Sequence, residues 1–195
     1  YHPDERGGSQ GGRSLVPDEF DGRELGPWFP KLRPALKTMM PLGGMMVGRN
    51  DLPHVFKMTQ SAKSALHVGR MVARHARDRL RHARGTRLVN GNALIAKLAV
   101  NAFARGIPLW LSSPMVELRV RDGKVIGAVV EREGQRVTIV ARRGVVLACG
   151  GFPGNAELKQ RVFGHLAAGK NHTLLPPAGN TGDGFMSGFG VLGNV

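Results

Sequence analysis

The stretch Gly144 to Asn155 reads GVVLACGGFPGN and decides how the second half of the sequence is interpreted. Four apolar residues, Val145 to Ala148, run directly into Cys149, Gly150 and Gly151. A run that is apolar at every position predicts a strand buried on both faces, typical of a central parallel strand. Glycines at the end of such a strand let a ligand or another backbone come close. An open α/β sheet presents this edge to its cofactor.

Regular structure is predicted ahead of this stretch. Apolar residues on one face indicate a helix from Gly91 to Arg105, followed by a short strand from Ile107 to Leu111. Three further strands, Met115 to Arg121, Val125 to Arg132 and Arg136 to Ala141, are separated by the glycine-centred turns RDGK and EREGQ. Apolar and charged residues alternate in the first of them, which indicates a half-exposed antiparallel meander. The order of elements predicts an α/β fold.

Two more glycine-rich segments follow, NTGDG at 180–184 and GFMSGFGVLG at 184–193. The carboxylate of Asp183 lies in a loop that leads into a predicted helix, Phe185 to Leu192. A carboxylate in such a loop can accept hydrogen bonds from the hydroxyls of a sugar or a ribityl chain. TGDG alone is also typical of a plain turn, so neither reading is decided by this motif by itself.

The first 60 residues are rich in Gly and Pro and predict irregular chain, with short helical turns around Lys31 to Thr38 and after Pro53. A helix is predicted from Ser61 to Arg84, with Gly85 as its C-cap. An irregular segment of this kind is expected to lie against another part of a larger protein. The sequence therefore divides into 1–85, irregular and helical, and 86–195, regular.

The chain carries 28 Lys and Arg against 14 Asp and Glu among 195 residues, a net charge of +14. Six of the arginines crowd the second half of the helix that ends at Arg84. They indicate either a phosphate-binding or nucleic-acid-binding helix, or a solvated face with cations near a helix C-terminus. No aromatic residues are interleaved with them for stacking on bases. Nearby His67, His75 and His82 lack carboxylates at metal-ligand spacing, so no metal site is predicted.

The composition excludes some classes of protein. A single cysteine, Cys149, excludes an internal disulfide framework and a cysteine-based zinc site, and it is typical of a reducing compartment. We therefore expect a cytoplasmic location. No apolar stretch approaches the roughly 18 residues of a membrane span. The hydrophobic content of 42% is that of an ordinary globular protein.

The order and spacing of these segments resemble the flavoprotein family that includes fumarate reductase and the 3-ketosteroid Δ1-dehydrogenases. In that family a helix with G-x-A-L precedes T-x-V-x-x-L, G-x-V-x-G-V, A-x-x-G-V-V-L-A-T/A-G-G-F and T-G-D-G. The counterparts here are Gly91 to Leu94, Ser113 to Leu118, Gly123 to Val129, Ala141 to Phe152 and Thr181 to Gly184. The resemblance covers roughly residues 85–195. It implies part of a glutathione-reductase-like FAD-binding fold with a three-strand antiparallel meander.

The N-terminal segment YHPDERGGSQGGRSLVPDEFDGRELGP resembles the ketosteroid dehydrogenase branch of the family, which carries D-Y-Y-P-E-x-P-G-G…G-R-S and then F-D-x-R-x-L-G. Fumarate and succinate enzymes do not carry it. The resemblance places Tyr1 on the first tyrosine of a pair that lines the active site and supports the catalytic base, while His2 replaces the second. Tyr1 is thereby the one catalytic candidate in the chain.

The resemblance also implies contacts with FAD. The backbone at Met115 is expected to meet the adenine ring, and the chain after the buried strand to pass close to the dinucleotide, with the TGD segment approaching from another side. The implied cofactor-binding residues are Met115, Ala148, Cys149, Gly150, Gly151, Gly182 and Asp183. Cys149 departs from the family's Thr or Ala, and as a buried thiol it is expected to pack rather than react.

No G-x-G-x-x-G follows a strand in this sequence, and GGSQGG at 7–12 lacks the strand and helix that this motif needs. The resemblance implies that the phosphate-binding unit precedes these residues and that the substrate domain follows them. On this view 1–85 is an insertion of the FAD domain and 86–195 its central part. The isolated chain is then expected neither to hold FAD tightly nor to turn over.

The expected activity is dehydrogenation of a 3-ketosteroid or related cyclic ketone, with proton abstraction beside the carbonyl and hydride transfer to flavin. Its partner is then a small-molecule substrate, with no nucleic acid expected. Two alternatives remain: a fumarate-reductase-like reductase of an activated alkene, and a basic nucleic-acid-binding module built on the arginine-rich helix. The oligomeric state is left open.

Overall fold

The computed structural model describes residue 6 and residues 15–35, 40–167 and 177–192, with side chains up to residue 188 in the last range. The chain divides into two compact units, Tyr1–Leu109 and Trp110–Val195. Each unit is taken by itself below. The division of the sequence into 1–85 and 86–195 stays a prediction, as does the role of Tyr1, which lies outside the described residues.

The first unit is mainly helical, with one short antiparallel strand pair in which Phe20 lies opposite Leu88. Its elements in chain order are β1 Phe20–Asp21, a 3₁₀ helix Gly22–Lys31, α1 Pro41–Gly44, α2 Leu52–Phe56, α3 Ala62–Arg79, β2 Arg87–Leu88 and α4 Asn90–Ala104. The helical turn predicted from Lys31 to Thr38 does not form over 32–35, and 36–39 lie outside the described residues. The turn predicted after Pro53 is α2.

The end of α3 differs from the prediction. The helix ends at Arg79, with Leu80 as its C-cap, rather than at Arg84 and Gly85. Asp78 is buried, and its Oδ2 accepts hydrogen bonds from Thr86 N at 2.9 Å and Thr86 Oγ1 at 2.8 Å. These bonds fold the following segment back on the helix, which a continuing α-helix would prevent. A Cβ on Gly85 would lie 2.7 Å from His75 Nδ1, so this glycine is required for close packing rather than for capping.

The core of the first unit lies between α4, the 3₁₀ helix and the short strand pair. Its buried residues are Leu25, Phe29, Met46, Leu88, Val89, Ala93 and Ala96. Two small residues of α4, Ala93 and Ala96, are fully buried and let the 3₁₀ helix pack closely. Trp28 stacks on Phe103 with ring centroids 5.1 Å apart. The helix predicted from Gly91 to Arg105 is confirmed as α4, which begins and ends one residue earlier, at Asn90 and Ala104.

The second unit contains the predicted meander. Strands β3 Met115–Arg121, β4 Lys124–Arg132 and β5 Gln135–Val140 pair antiparallel in the order β3-β4-β5. The turns between them place two consecutive residues at positive φ, Asp122 and Gly123 at 51° and 70°, and Glu133 and Gly134 at 52° and 75°. Two-residue turns of this kind match the twist of the strands they join. Helices α5 Ala156–Val162, α6 Gly164–Ala167 and α7 Asp183–Leu192 follow.

Two predicted strands are not formed. Residues 107–110 and 145–148 carry no strand pairing, and Val146 is 90% exposed. The prediction of a buried, central strand from Val145 to Ala148 is therefore wrong for this chain. A parallel strand buried on both faces needs a neighbour on each side, and no strand within the described residues pairs with this one. The apolar run thus lacks, among the described residues, the sheet that would cover it.

Candidate functional site

The two glycine-rich loops of the second unit lie side by side. We call residues 149–155 the CGG loop and residues 180–184 the TGD loop. Gly154 N donates to Asn180 O at 2.7 Å, and Asn155 Nδ2 donates to Thr181 O at 3.1 Å. Residues that are 26 positions apart in sequence are thereby joined by one backbone hydrogen bond and one bond from a side chain to the backbone. The structure thus brings together two motifs that the sequence showed only as separate signals.

Two glycines in these loops occupy positions that other residues could not. Gly150 has a φ of +80°, and a Cβ there would lie 2.9 Å from Asn180 Oδ1. Gly182 has a φ of +90°, and a Cβ there would lie 2.9 Å from Phe152 Cβ. Both the backbone conformation and the lack of space select glycine. The glycines are therefore needed for the two loops to meet.

Side chains of the CGG loop and of the adjacent helical segments hold the two loops in place. Asn155 caps α5, because its Oδ1 accepts from Leu158 N at 3.0 Å. The ring of Phe152 lies 5.9 Å from that of Phe163 and 5.6 Å from that of Phe185, measured between centroids. Three aromatic rings, one each from the CGG loop, the segment after α5 and α7, thus pack as a cluster. This cluster holds the start of α7 near the CGG loop.

Asp183 stands at the start of α7, with its side chain exposed. Thr181 Oγ1 donates to Asp183 Oδ2 at 2.8 Å, and Ser187 Oγ donates to Asp183 O at 2.7 Å. The threonine orients the carboxylate, and the negative charge is favoured at a helix N-terminus. An oriented, exposed carboxylate is suited to accept hydrogen bonds from the hydroxyls of a ligand.

The predicted cofactor-binding residues are distributed unequally. Cys149, Gly150, Gly151, Gly182 and Asp183 lie in the two joined loops, and Ala148 directly precedes the CGG loop in the chain. Met115 is separate from these loops in sequence: it begins β3, is half-buried, and lies opposite Val130 of β4. Contacts exist between α7 and β3, the strand that Met115 begins. The cofactor roles of all seven residues remain predictions.

Cys149 was expected to be buried, and this expectation is wrong, because the thiol is exposed. No strands of the described chain cover the apolar run before Cys149, and the segment that carries this residue is therefore exposed to solvent. Its Sγ nevertheless lies directly against Gly184, where a Cβ would overlap it. The thiol therefore contacts the start of α7, and a side chain at position 184 could not be accommodated.

The backbone of the CGG loop fits the approach of a large planar or phosphate-bearing ligand. Ala148, Gly150 and Gly151 are exposed, and a Cβ on Gly151 would meet only Pro153 Cδ, at 3.5 Å. Open backbone N–H groups at glycines can donate to phosphate or ring acceptors. The residues present therefore have the chemistry that one wall of a dinucleotide site requires, and the exposed carboxylate of Asp183 is suited to accept hydrogen bonds from ligand hydroxyls.

A second polar cluster, in the first unit, was not predicted from the sequence. The buried carboxylate of Asp51 accepts from Gly48 N at 2.8 Å, His67 Nε2 at 2.9 Å and Arg87 Nη1 at 2.8 Å. Arg87 also forms a bidentate ion pair with Glu19. We call these residues, with His54 and Ser64, the Asp51 cluster. His54 Nδ1 lies 3.2 Å from Ser64 Oγ, and the two histidine rings stack at 4.3 Å.

The charges of this cluster stabilise one another. Burial raises the pKa of Asp51, but hydrogen bonds from Arg87, His67 and Gly48 outweigh it, so that the pKa lies below its usual range. The hydrogen bond to Glu19 and the nearby carboxylate of Asp51 raise the pKa of Arg87. The cluster thus ties together four chain segments, around residues 19, 48–54, 64–67 and 87, through the ion pairs of Arg87 with Asp51 and Glu19 and the hydrogen bonds around them.

Sequence reasoning missed this cluster because its members are far apart in the chain. Asp51 and Arg87 are 36 residues apart, and Asp51 and His67 are 16 apart. The one local signal is an Asp shortly before Pro53, which predicts a helix cap, yet the Asp51 side chain makes no capping hydrogen bond to α2. No spacing rule connects these positions.

Two further properties of the described residues bear on function. None of their helices combines the length and apolar character needed to cross a bilayer. They also contain no group of three or more His, Cys, Asp or Glu side chains placed to share a metal ion. The joined loops and the Asp51 cluster are accordingly the two polar features on which a functional argument can draw.

Comparison with known proteins gives consistent matches. The model of the FAD binding domain family matches residues 4–191. The 4-oxocyclohex-2-ene-1-carboxylate 5-dehydrogenase of Sinomonas cyclohexanicum is 37% identical over 184 residues, which are 94% of this chain and 31% of that protein. The 3-oxosteroid 1-dehydrogenase of Mycobacterium tuberculosis is 33% identical over 193 residues, covering 96% of this chain and 33% of the relative.

A solved structure agrees with these relatives. The 3-ketosteroid Δ1-dehydrogenase of Sterolibacterium denitrificans, in complex with 1,4-androstadiene-3,17-dione, superposes with a TM-score of 0.78 at 29% identity. The match covers 98% of this chain and 35% of that protein. The chain spans about a third of the length of the relatives it matches. The predictions of an FAD-binding fold and of FAD as cofactor are confirmed, and the chain belongs to the FAD binding domain family.

Proposed function

We propose that the protein that carries this chain is an FAD-dependent dehydrogenase that oxidises a CH–CH bond of a 3-ketosteroid or a related cyclic ketone. The observation that carries this proposal is similarity over nearly the whole chain to dehydrogenases of both substrate types, at 37% and 33% identity. The match to the ketosteroid enzyme structure over 98% of the chain supports it.

The joined loops support the cofactor role proposed for this part of the protein. The open backbone at Gly150 and Gly151 lets a dinucleotide come close, and Asp183 is oriented to accept hydrogen bonds from its hydroxyls. Ala148, Cys149 and Gly182 frame the same wall. We propose Met115 as the backbone contact for the adenine ring, from the start of β3.

The chemistry divides between cofactor and protein. Bound FAD supplies the acceptor for a hydride from the carbon next to the activated position. The protein must hold the ketone and remove a proton from the carbon beside the carbonyl, which requires a base within hydrogen-bond reach. We propose that Tyr1 supports this base through its phenol.

The proposed partner is a small-molecule substrate, and the proposed location is the cytoplasm, which a single free cysteine suits. Relatives act on a fused-ring steroid and on a monocyclic ketone carboxylate, as their names state. The proposal therefore covers both sizes of substrate, and the choice between them is an experimental question.

The test is a spectroscopic titration of the complete protein in which these residues occur. The purified protein is expected to show the absorbance of oxidised flavin, and anaerobic addition of a 3-ketosteroid or of a 4-oxocyclohexene carboxylate is expected to bleach it. The product should be the desaturated ketone, identified by mass spectrometry. Absence of flavin, or flavin that neither class of ketone reduces, would refute the proposal.

The same experiment examines the fumarate-reductase-like alternative. In that case neither ketone would bleach the flavin, and the chemically reduced protein would be reoxidised by fumarate. A Tyr1→Phe variant sharpens the mechanism, since loss of a proton-relay phenol should lower the rate of bleaching while leaving the flavin content unchanged. An unchanged rate would remove Tyr1 from the mechanism without affecting the cofactor assignment.

A further inference from the structure

The first unit contains a cavity of about 270 Å³ beside the Asp51 cluster. Its volume lies just below the range of about 300–1,000 Å³ that is usual for ligand pockets, so it suits a small ligand. Three methionines, Met45, Met46 and Met71, supply the apolar part of its lining. Met45 and Met46 are buried, and flexible thioether side chains adapt readily to the shape of an apolar group.

Three arginines and three carboxylates line the cavity. These groups differ in how many of their hydrogen-bonding atoms already have partners within the protein. Both oxygens of Glu19 accept from Arg87, and both oxygens of Asp51 are occupied by Arg87, His67 or Gly48. Three nitrogens of Arg87 are used in these bonds. These groups therefore have little capacity left for a ligand.

The remaining polar lining groups are also engaged. Asp78 Oδ2 accepts twice from Thr86, and His75 Nε2 lies 3.0 Å from the carbonyl oxygen of Leu42. His67 is held by Asp51. Apart from the second oxygen of Asp78, the carboxylate oxygens of the lining are thus held within the protein, and each imidazole is held through its Nε2.

Arg70 and Arg74 are the exception. Across the described parts of the chain, neither makes a hydrogen bond or a direct ion pair, although Arg74 is near enough to Glu19 and Asp78 to lower the pKa of both carboxyls. The two arginines are four residues apart on α3 and therefore share one helix face. Two guanidiniums with free N–H donors thus stand next to an apolar lining.

We propose that this cavity binds a small organic anion, with a carboxylate or phosphate held by Arg70 and Arg74 and an apolar ring or chain seated on the methionines. Guanidinium groups recognise such oxyanions through paired, charge-assisted hydrogen bonds. The guanidiniums of Arg70 and Arg74 are the charged donors of the lining that the described residues leave unused, so a ligand that engages them must bring acceptors. The three lining methionines favour an apolar body over a bare inorganic ion.

The test measures ligand binding by titration calorimetry with the complete flavin-loaded protein. Cyclohexanecarboxylate and cyclohexyl phosphate are the anionic probes, cyclohexanecarboxamide is the neutral control, and inorganic phosphate tests the anion without an apolar body. We expect at least one organic anion to bind ten times or more tightly than the amide, since the amide lacks the charge that the guanidiniums recognise. The tighter of the two anions identifies the head group.

Variants assign the binding to this cavity. Arg70→Gln combined with Arg74→Gln should weaken binding at least tenfold, whereas the matched change Arg79→Gln, on the same helix but outside the lining, should leave it unchanged. Arg70→Lys with Arg74→Lys keeps both charges and should restore part of the affinity. Circular dichroism and the flavin spectrum show whether each variant is folded.

Several outcomes would overturn the proposal. Equal affinity for the carboxylate and the carboxamide would remove the role of the arginines, and equal affinity for inorganic phosphate and cyclohexyl phosphate would remove that of the methionines. Full binding by the folded double glutamine variant would place the ligand elsewhere in the protein. Absence of binding by all four probes would leave the cavity without this function.

Discussion

The joined loops of the second unit and the Asp51 cluster of the first unit are built on opposite principles. The loops meet through backbone groups and through glycines that exclude side chains, and their one charge, Asp183, is exposed. The cluster meets through buried and half-buried charged side chains. The loops thus leave backbone free for a ligand, while the cluster uses its polar groups on itself. The difference separates two loops that we propose as part of a cofactor site from a set of ion pairs that holds chain segments together.

The largest loss of stability is expected from a substitution that breaks the Asp51 cluster. Asp51→Ala leaves the guanidinium of Arg87 with Glu19 as its ion-pair partner and removes three hydrogen bonds. Loss of one partner of a buried ion pair costs about 3–5 kcal/mol. Urea denaturation of the complete protein measures this, with Asp18→Ala at an exposed acid as control. A loss below about 1 kcal/mol would mean that water replaces the pair.

The next largest effect is expected from a substitution in the TGD loop. Because the loops are proposed to contact the cofactor and the Asp51 cluster to stabilise the fold, this substitution should release flavin rather than unfold the protein. Gly182→Ala forces a Cβ to within 2.9 Å of Phe152 Cβ at a φ of +90°. Strain of this kind costs about 1–3 kcal/mol. The ratio of flavin to polypeptide after gel filtration should fall.

Gly179→Ala is the matched control for this change. It lies one residue before the TGD loop, has ordinary φ, and a Cβ there would meet nothing within 4 Å. Its flavin content should equal that of the natural protein. Equal flavin content in both alanine variants would contradict the structural role given to Gly182.

Lowering the pH should destabilise the first unit. Burial raises the pKa of Asp78, but hydrogen bonds from Thr86 outweigh it, and the net pKa is lowered, as for Asp51. Since the unfolded chain then binds more protons, this stabilisation is complete above the unfolded pKa and is lost as pH falls through the folded pKa. Unfolding free energy should decline below about pH 5, by up to about 1.4 kcal/mol per pH unit for each carboxyl.

Urea denaturation across this pH range provides the measurement, and Asp78→Asn provides the comparison. An amide oxygen at this position can still accept from Thr86 but does not titrate, so the decline should be shallower in the variant. Parallel curves for the two proteins would show that Asp78 contributes nothing to acid sensitivity.

The smallest effect is expected from the cap that supports the CGG loop. Asn155→Ala removes the hydrogen bonds to Leu158 N and to Thr181 O. Loss of an N-cap costs about 1 kcal/mol. Hydrogen exchange at the amides of α5 should accelerate several-fold, while exchange in β4 stays constant. Faster exchange in both elements would indicate general loosening of the unit instead.

The parts of the fold that could be predicted from the sequence are those with local causes. The three strands of the meander were located within a residue or two, because alternation and glycine turns are carried by neighbouring residues. The strand expected at 145–148 was wrong, because strand pairing depends on partners that the described residues do not supply. Local pattern predicts the shape of a segment, but not whether a partner is present.

The same distinction applies to the candidate site. Gly150, Gly182 and Asp183 are selected by motif, and the structure joins their loops through Asn155 and Asn180, which lie in the same motifs but have no predicted role. The end of α3 was misplaced because the hydrogen bond between Asp78 and Thr86, eight residues later, stops the helix early. Such contacts between side chains distant in sequence decide both the cluster and the helix boundary.

The tight turns of the meander have a consequence for how the protein is made. Each hairpin brings together strands separated by only two residues, so β3, β4 and β5 can pair as soon as they leave the ribosome. Hairpins form within about 1–10 μs, far faster than residues are added during synthesis. The meander can therefore form before the CGG loop and the TGD loop have left the ribosome. During translation it would provide the first ordered surface of its unit.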